Sequence, residues 1–241
     1  MTGVQTCALP IYLPKSLATE IRNWALAEPC YADRNSQHGF YLCDKDKSET
    51  YLGKSILLSQ YFNTTSSCPP VRKLAEDPVI NDIAASYLGA VPKFVGANLW
   101  WTFPVEASPE DRSKHAHVYH RDVDDFKFLK FFFYLTDVPK SEGAHICVAG
   151  SHTAPPSKKM SDPWLLRRYE DDEISEIYDK DSIREICGVA GTGFAENTLC
   201  VHKGSTPKNK PRLILQLQFA LFDYGVMNDN YSAEKLRILF R

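Results

Sequence analysis

The stretch RLILQLQFAL, residues 212–221, narrows the choice of fold more than any other part of the chain. Extended backbone sends successive side chains to opposite faces. Leu213, Leu215, Leu217, Phe219 and Leu221 therefore share one face, and Arg212, Gln216 and Gln218 the other. A half-exposed strand gives this pattern with its polar groups in water. A barrel wall gives it too, if the lumen is polar. A second run, FKFLKFFFYLTDV (126–138), sets Lys130, Tyr134 and Thr136 on one face together with Phe128 and Phe132. A cation and a phenol among large apolar surfaces suit a ligand pocket better than a wet surface.

Further runs rich in aromatic and β-branched residues, bounded by turn formers, predict strands at 93–103, 144–150, 184–189 and 198–202. Helices are expected earlier. KSLATEIRNWALAE (15–28) spaces Leu17, Ile21, Trp24 and Ala25 helically. DPVINDIAASYLG (77–89) has Asp77 as N-cap, Pro78 at the first helical position and Gly89 past the end. Residues 30–69 read as loops and short strands. An acidic, helix-prone insertion spans 155–182, and its Trp164, Leu165, Leu166 and Tyr169 make it too apolar for a solvated loop. We expect it to cover a pocket mouth. Strands with a few N-terminal helices predict a β-sandwich or jelly roll, mainly β with flanking helices. The expected division is a helical layer over 12–90 and a jelly-roll core over 91–225, within one domain spanning 12–241. No internal repeat and no low-complexity segment interrupts it.

At 241 residues, 44% hydrophobic and 24% charged, the chain suits one large domain. Its net charge of −2 and lack of a basic stripe argue against a nucleic-acid partner. No apolar run approaches the roughly 18 to 20 residues that span a bilayer. Seven cysteines without C-x-x-C spacing suit reduced thiols and a cytoplasmic location. MTGVQTCALPI, residues 1–11, lacks signal-peptide order and resembles the translation of a sequencing-adapter oligonucleotide. Those residues are expected to be non-native, poorly packed and low in contacts.

HVYHRDVDD, residues 117–125, crowds two histidines and three carboxylates together. His120 and Asp122 form H-x-D, and residues two apart on a strand end point to the same side. A third ligand would complete the two-histidine, one-carboxylate set of non-haem iron oxygenases. His202, in CVHKGSTP, is the best candidate, and Arg212 ten positions on could pair with a carboxylate. His115 and His117 form H-x-H without the glutamate a cupin needs, and read as loop or substrate-facing residues. His152 reads as bracing a turn, and His145 as a satisfied core histidine. Asp124 and Asp125 read as solvating a turn, with a second role of orienting His120. Trp100 and Trp101 must face opposite ways; Asn98 and Trp100, with Gln216, are the expected pocket-lining set. EDDE (170–173) reads as a solvated helix end. Lys127, Lys130, Lys158 and Lys159 could attract an anionic substrate group.

The ordered set HRD, LTDVPKSEGAHICVAGSH and HKGSTPKNKPRLILQLQFA resembles the phytanoyl-CoA dioxygenase family of Fe(II)/2-oxoglutarate oxygenases, over roughly residues 90–225. Ala149 stands where that family usually has proline. The resemblance implies a double-stranded β-helix with His120, Asp122 and His202 on Fe(II). It implies Arg212 on the distal carboxylate of 2-oxoglutarate, assisted by Ser205 or Thr206, with Lys130 and Tyr134 in the same co-substrate set. The implied reaction consumes O2 and hydroxylates an unidentified small molecule, releasing succinate and CO2. The carboxylate of Asp122, where a small residue would admit halide, points to hydroxylation. Two other readings stand beside it: a non-catalytic jelly-roll binding module, and a cupin-type metalloenzyme without 2-oxoglutarate. Keeping His120, Asp122, His202 and Arg212 together argues against the first, and Arg212 against the second.

Overall fold

The computed structural model describes residues 8–153, 167–225 and 229–240. The strands are β1 Ala8–Tyr12, β2 Cys30–Ala32, β3 Gly39–Phe40, β4 Leu58–Tyr61, β5 Lys93–Thr102, β6 Phe128–Tyr134, β7 His145–Val148, β8 Ile183–Ile186, β9 Thr192–Glu196, β10 His202–Gly204 and β11 Arg212–Ala220. The α-helices are α1 Lys15–Ala27, α2 Lys45–Leu52, α3 Thr64–Ser67, α4 Pro69–Ala75, α5 Pro78–Leu88, α6 Pro109–Lys114 and α7 Asp171–Ile177. One sheet of eight strands runs β1-β9-β6-β11-β5-β4-β2-β3, and a smaller one runs β10-β7-β8. Every pairing between these strands is antiparallel. The fold is a jelly roll, mainly β with flanking helices.

The alternation in β11 sorts the molecule into two layers. Leu213, Leu215, Leu217 and Phe219 join Leu99, Trp101, Phe131 and Phe133 in the largest apolar cluster. The helices close that cluster with Ala18, Ile21 and Ala25 of α1, Val71 and Leu74 of α4, and Ile80, Ala84 and Leu88 of α5. Each large side chain buried this way contributes about 1.5–3 kcal/mol. α1 stops at Glu28, which is extended (φ −100°, ψ 152°) because Pro29 disfavours helix in the residue before it. α5 begins as its sequence demands: Asp77 accepts from the Val79 and Ile80 amides at 2.9 and 3.2 Å. Gly89 closes it in the left-handed conformation.

Four sequence expectations need correction. Residues 8–12 form a regular edge strand, with Ala8 opposite Glu196 and Tyr12 opposite Thr192, where residues 1–11 were expected to make few contacts. β9 alone would have left a row of unpaired backbone groups at the sheet edge. Residues 198–202 are not a strand; His202 opens β10 instead of ending one. The strand Thr192–Glu196 had no expected counterpart, because TGFAE lacks a β-branched or aromatic run. The segment 30–69 contains α2 and α3 as well as short strands. Residues 155–166 of the acidic insertion, with Trp164, lie outside the described residues, as do Lys158 and Lys159.

Among the described residues no helix is long and apolar enough to cross a membrane. The six described cysteines are free thiols.

Candidate metal centre

The other face of the large sheet carries the polar alternation. Register aligns Gln216 with Asn98 and Phe132, Gln218 with Lys130, and Ile214 with Trp100. These residues face the small sheet across a cavity of about 280 Å³, which also takes in His120, Asp122, His202 and Arg212. Trp100 lines the cavity while Trp101, one position on, is packed in the main core. Gln60 donates to the Asn98 side chain at 3.1 Å.

His120 and His202 are joined by an isolated antiparallel bridge, so the H-x-D segment is stitched onto the start of β10. Asp122 is fixed next to it by its amide, which donates to the Thr198 carbonyl at 2.9 Å. Ligand atoms of His120, Asp122 and His202 all lie within 4.8 Å of one another. His120 Nε2 is 3.6 Å from Asp122 Oδ1, and His202 Nε2 is 3.5 Å from Asp122 Oδ2. Behind the rings, His120 Nδ1 lies 3.0 Å from the Val118 carbonyl and His202 Nδ1 lies 2.9 Å from the Cys200 carbonyl. A carbonyl only accepts, so each Nδ1 carries a proton and each Nε2 turns a lone pair inward.

Electrostatics agrees with that tautomer. Burial holds both imidazoles below their ordinary pKa, and the neighbouring His202 adds to the effect on His120. Burial pushes the Asp122 carboxyl up, but Lys130, His202 and His120 outweigh it and hold it well below the carboxylate range. Two neutral imidazoles and one carboxylate are a donor set for a divalent metal, and three protein ligands leave coordination positions open. Two other groupings meet the same distance test. In one, the Cys200 thiol donates to Glu196 at 2.9 Å and His145 Nε2 lies 2.6 Å from Glu196, so the carboxylate is already engaged. In the other, Lys54 sits 3.0 Å from both Asp33 and Asp111 and supplies the positive charge itself.

Arg212 is buried on the cavity wall. Its guanidinium donates to the Gly143 carbonyl and, at 2.9 Å, to the Thr102 hydroxyl, yet it has no acidic partner among the described residues. Its Nε–H is buried and unpartnered. Gly143 presents that carbonyl at φ +82°, and a Cβ there would come within 3.0 Å of Pro207. A buried guanidinium with a spare donor fits a carboxylate ligand.

Several expected residues are placed otherwise. Tyr134 does not line the cavity; its hydroxyl donates to the Ile186 carbonyl and accepts from the His145 amide, both at 2.8 Å. Ser205 and Thr206 line a separate hollow, and Thr206 Oγ1 lies 2.8 Å from His117 Nδ1. Lys130 does line the cavity, but its ammonium is shared between Asp122 (2.7 Å) and Asp124 (2.8 Å). Asp124 also accepts from Gln218 at 3.1 Å, so it braces the site as well as the turn. Asp125 accepts from the Phe222 amide at 2.8 Å. Lys127 donates to the Leu88 carbonyl at 3.3 Å. His115 and His117 both line the cavity, and His152 sits in the turn at 151–153. EDDE starts α7: Glu170 and Glu173 form its capping box, and Asp171 pairs with Lys203 at 2.5 Å.

Sequence reading missed Glu196, Arg34 and Arg168, whereas His145 is the buried, partnered strand histidine it expected. His145 stacks on His202 with ring centroids 5.4 Å apart and contacts the buried Glu196, so the pair buttresses a candidate ligand. Arg34 and Arg168 stand at the rim. A lone glutamate in TGFAE and an arginine in a hairpin loop carry no local signal of such a role.

No protein-family model and no curated protein sequence matches the chain. Solved structures do. The epimerase SnoN, in complex with Fe3+, alpha-ketoglutarate and nogalamycin RO, superposes with a TM-score of 0.62 at 17% identity, over 95% of this chain and 87% of that one. HygX from Streptomyces hygroscopicus, with nickel, 2-oxoglutarate and hygromycin B bound, gives 0.62 at 13% identity, over 95% and 90%. SnoK, a non-haem alpha-ketoglutarate-dependent carbocyclase from nogalamycin biosynthesis, gives 0.60 at 15% identity, over 93% and 85%. At these identities the likeness is one of fold.

Proposed function

We propose that the chain is an Fe(II)- and 2-oxoglutarate-dependent dioxygenase that hydroxylates a small molecule, releasing succinate and CO2. The observation that carries this reading is the convergence of His120 Nε2, His202 Nε2 and the Asp122 carboxylate on one cavity whose wall also holds the buried Arg212. Iron with 2-oxoglutarate and O2 supplies, when bound, the oxidising power to functionalise an unactivated C–H bond. The chain's own part is geometric and electrostatic. His120 and His202 offer preset lone pairs, and Asp122 offers charge that Lys130 keeps ionised and oriented. Arg212, aimed by Thr102 and Gly143, would hold the distal carboxylate of the co-substrate. Asn98, Trp100 and Gln216 would meet the substrate, and the Phe132 and Trp100 rings keep part of the wall dry.

The bound groups named for SnoN and HygX support the same reading by analogy of fold. The test is succinate formation from 2-oxoglutarate by the Fe(II)-loaded protein across a panel of small molecules, with His202→Ala as control. Product mass then separates outcomes: hydroxylation adds one oxygen, epimerisation leaves the mass unchanged, and ring closure removes two hydrogens. Failure of the Fe(II)-loaded protein both to bind 2-oxoglutarate and to form succinate overturns the proposal.

A further inference from the structure

Two arginines on the cavity wall lie outside the residues proposed to hold metal and co-substrate. Arg34 and Arg168 both line the cavity and both keep exposed surface. Neither guanidinium makes a salt bridge or a side-chain hydrogen bond among the described residues. They nevertheless open onto the same cavity. The negative charge of Asp122 reaches both, and Arg34 also feels the positive charge of Arg168.

The two come from remote segments that are each tied down. Arg34 lies in the β2–β3 loop, where Asp33 and Arg34 both adopt left-handed backbone (φ 56° and 59°). That loop is fastened by Asp33, whose amide donates to the Leu58 carbonyl at 2.9 Å. The Asp33 carboxylate also pairs with Lys54 at 3.0 Å and with His115, itself on the cavity wall, at 3.1 Å. Arg168 precedes Tyr169, which is fully buried and whose amide donates to the Tyr119 carbonyl at 2.9 Å, one residue before His120.

Charge balance says what this pair lacks. The cavity wall carries Arg34, Lys114, Lys130, Arg168 and Arg212 against only Asp122 and Asp124. Lys130 is neutralised by the two aspartates. A divalent metal would add positive charge, and a co-substrate dianion would answer the metal and Arg212. Arg34 and Arg168 are left on the same wall without a salt bridge to either aspartate. An oxyanion entering the cavity would answer this excess of positive charge through charge-assisted, bidentate bonds to the guanidiniums.

We infer that Arg34 and Arg168 form an anion-binding subsite at the cavity mouth, which takes a carboxylate or phosphate monoester carried by the primary substrate. That the anion belongs to the primary substrate rests on the proposed dioxygenase function; the subsite itself does not.

The test is calorimetric titration of the folded protein with phenyl phosphate, with benzoate, and with benzyl alcohol as the neutral control. The proteins are the wild type, Arg34→Gln, Arg168→Gln, the double variant and Arg212→Gln. We expect at least one anion to bind the wild type more tightly than benzyl alcohol. It should bind the double variant at least about tenfold more weakly, and Arg212→Gln nearly as well as the wild type. Which anion binds tells phosphate from carboxylate. Arg34→Lys with Arg168→Lys replaces the double variant if the glutamines impair folding, and should weaken binding less. Anion binding that survives in the double variant, or is lost only with Arg212, overturns the inference, as does no preference for either anion over benzyl alcohol. A parallel titration of 2-oxoglutarate into the Mn(II)-loaded wild type keeps the two questions apart. Its failure counts against the dioxygenase reading and leaves the subsite result standing.

Discussion

His120 and His202 exchange both hydrogen bonds of an antiparallel bridge: the His120 amide donates to the His202 carbonyl at 2.9 Å, and the reverse bond is 3.0 Å. Their ring centroids are consequently 4.2 Å apart, so backbone pairing brings the imidazoles together before any metal arrives. The convergence is a property of the sheet, which makes it separable from the side chains.

His202→Ala removes an imidazole and leaves that bridge in place. Mn(II) affinity should fall by more than about 100-fold, beyond the ~10–100-fold typical for losing a residue that only supports a ligand. Far-UV circular dichroism of the metal-free variant should match the wild type. Metal binding within a few-fold of wild type by calorimetry would remove His202 from the ligand set.

Arg212→Lys keeps a positive charge but loses the planar fork that reaches Thr102 and Gly143. 2-Oxoglutarate should bind the Mn(II)-loaded variant about tenfold more weakly or worse, with Mn(II) affinity itself nearly unchanged. Equal 2-oxoglutarate affinity in the two proteins would exclude Arg212 as its anchor.

Stability should depend on pH in a defined direction. Burial holds His117, His120 and His202 below the ordinary value of 6.5 in the folded, metal-free protein. Above that value both folded and unfolded chains are unprotonated at these sites, and nothing is lost. As pH falls below it, the unfolded chain takes up protons first, so stability declines until the folded pKa values are reached. The melting temperature should be flat from about pH 8 to 7 and fall between about pH 6.5 and 5. His117→Gln should make that fall shallower. A melting temperature that rises on acidification through this window would contradict the assigned burial.

Tyr61 is a stability hinge remote from the cavity. Its buried hydroxyl accepts from Trp101 Nε1 at 2.8 Å and donates to the Ala25 carbonyl, tying β4 and β5 to α1. Tyr61→Phe leaves both partners buried and unpaired, at a cost of about 1–3 kcal/mol. Urea denaturation should show a lower midpoint with an unchanged slope, and no change in Mn(II) affinity. An unaltered midpoint would mean that water replaces the hydroxyl.

The local parts of this structure were legible because their causes are local. Period-two alternation determined which face of β11 enters the core and which faces the cavity, and it separated Trp100 from Trp101. Asp77, Pro78 and Gly89 determined the ends of α5. Two-residue spacing set His120 and Asp122 on the same side. Tertiary structure decided everything that depends on which strand lies next to which. β9 was hidden because Gly193 weakens its strand signature, and the glycine is explained only by the packed fold: a Cβ there would sit 2.4 Å from the Phe133 ring. The pairing of Ala8–Tyr12 with β9, the bridge between His120 and His202, and the arrival of Arg34 and Arg168 on one cavity wall join segments far apart in the chain. Backbone sterics and capping act over a few residues and are written in the sequence, whereas pairing partners and charge balance are set by closure of the sheets.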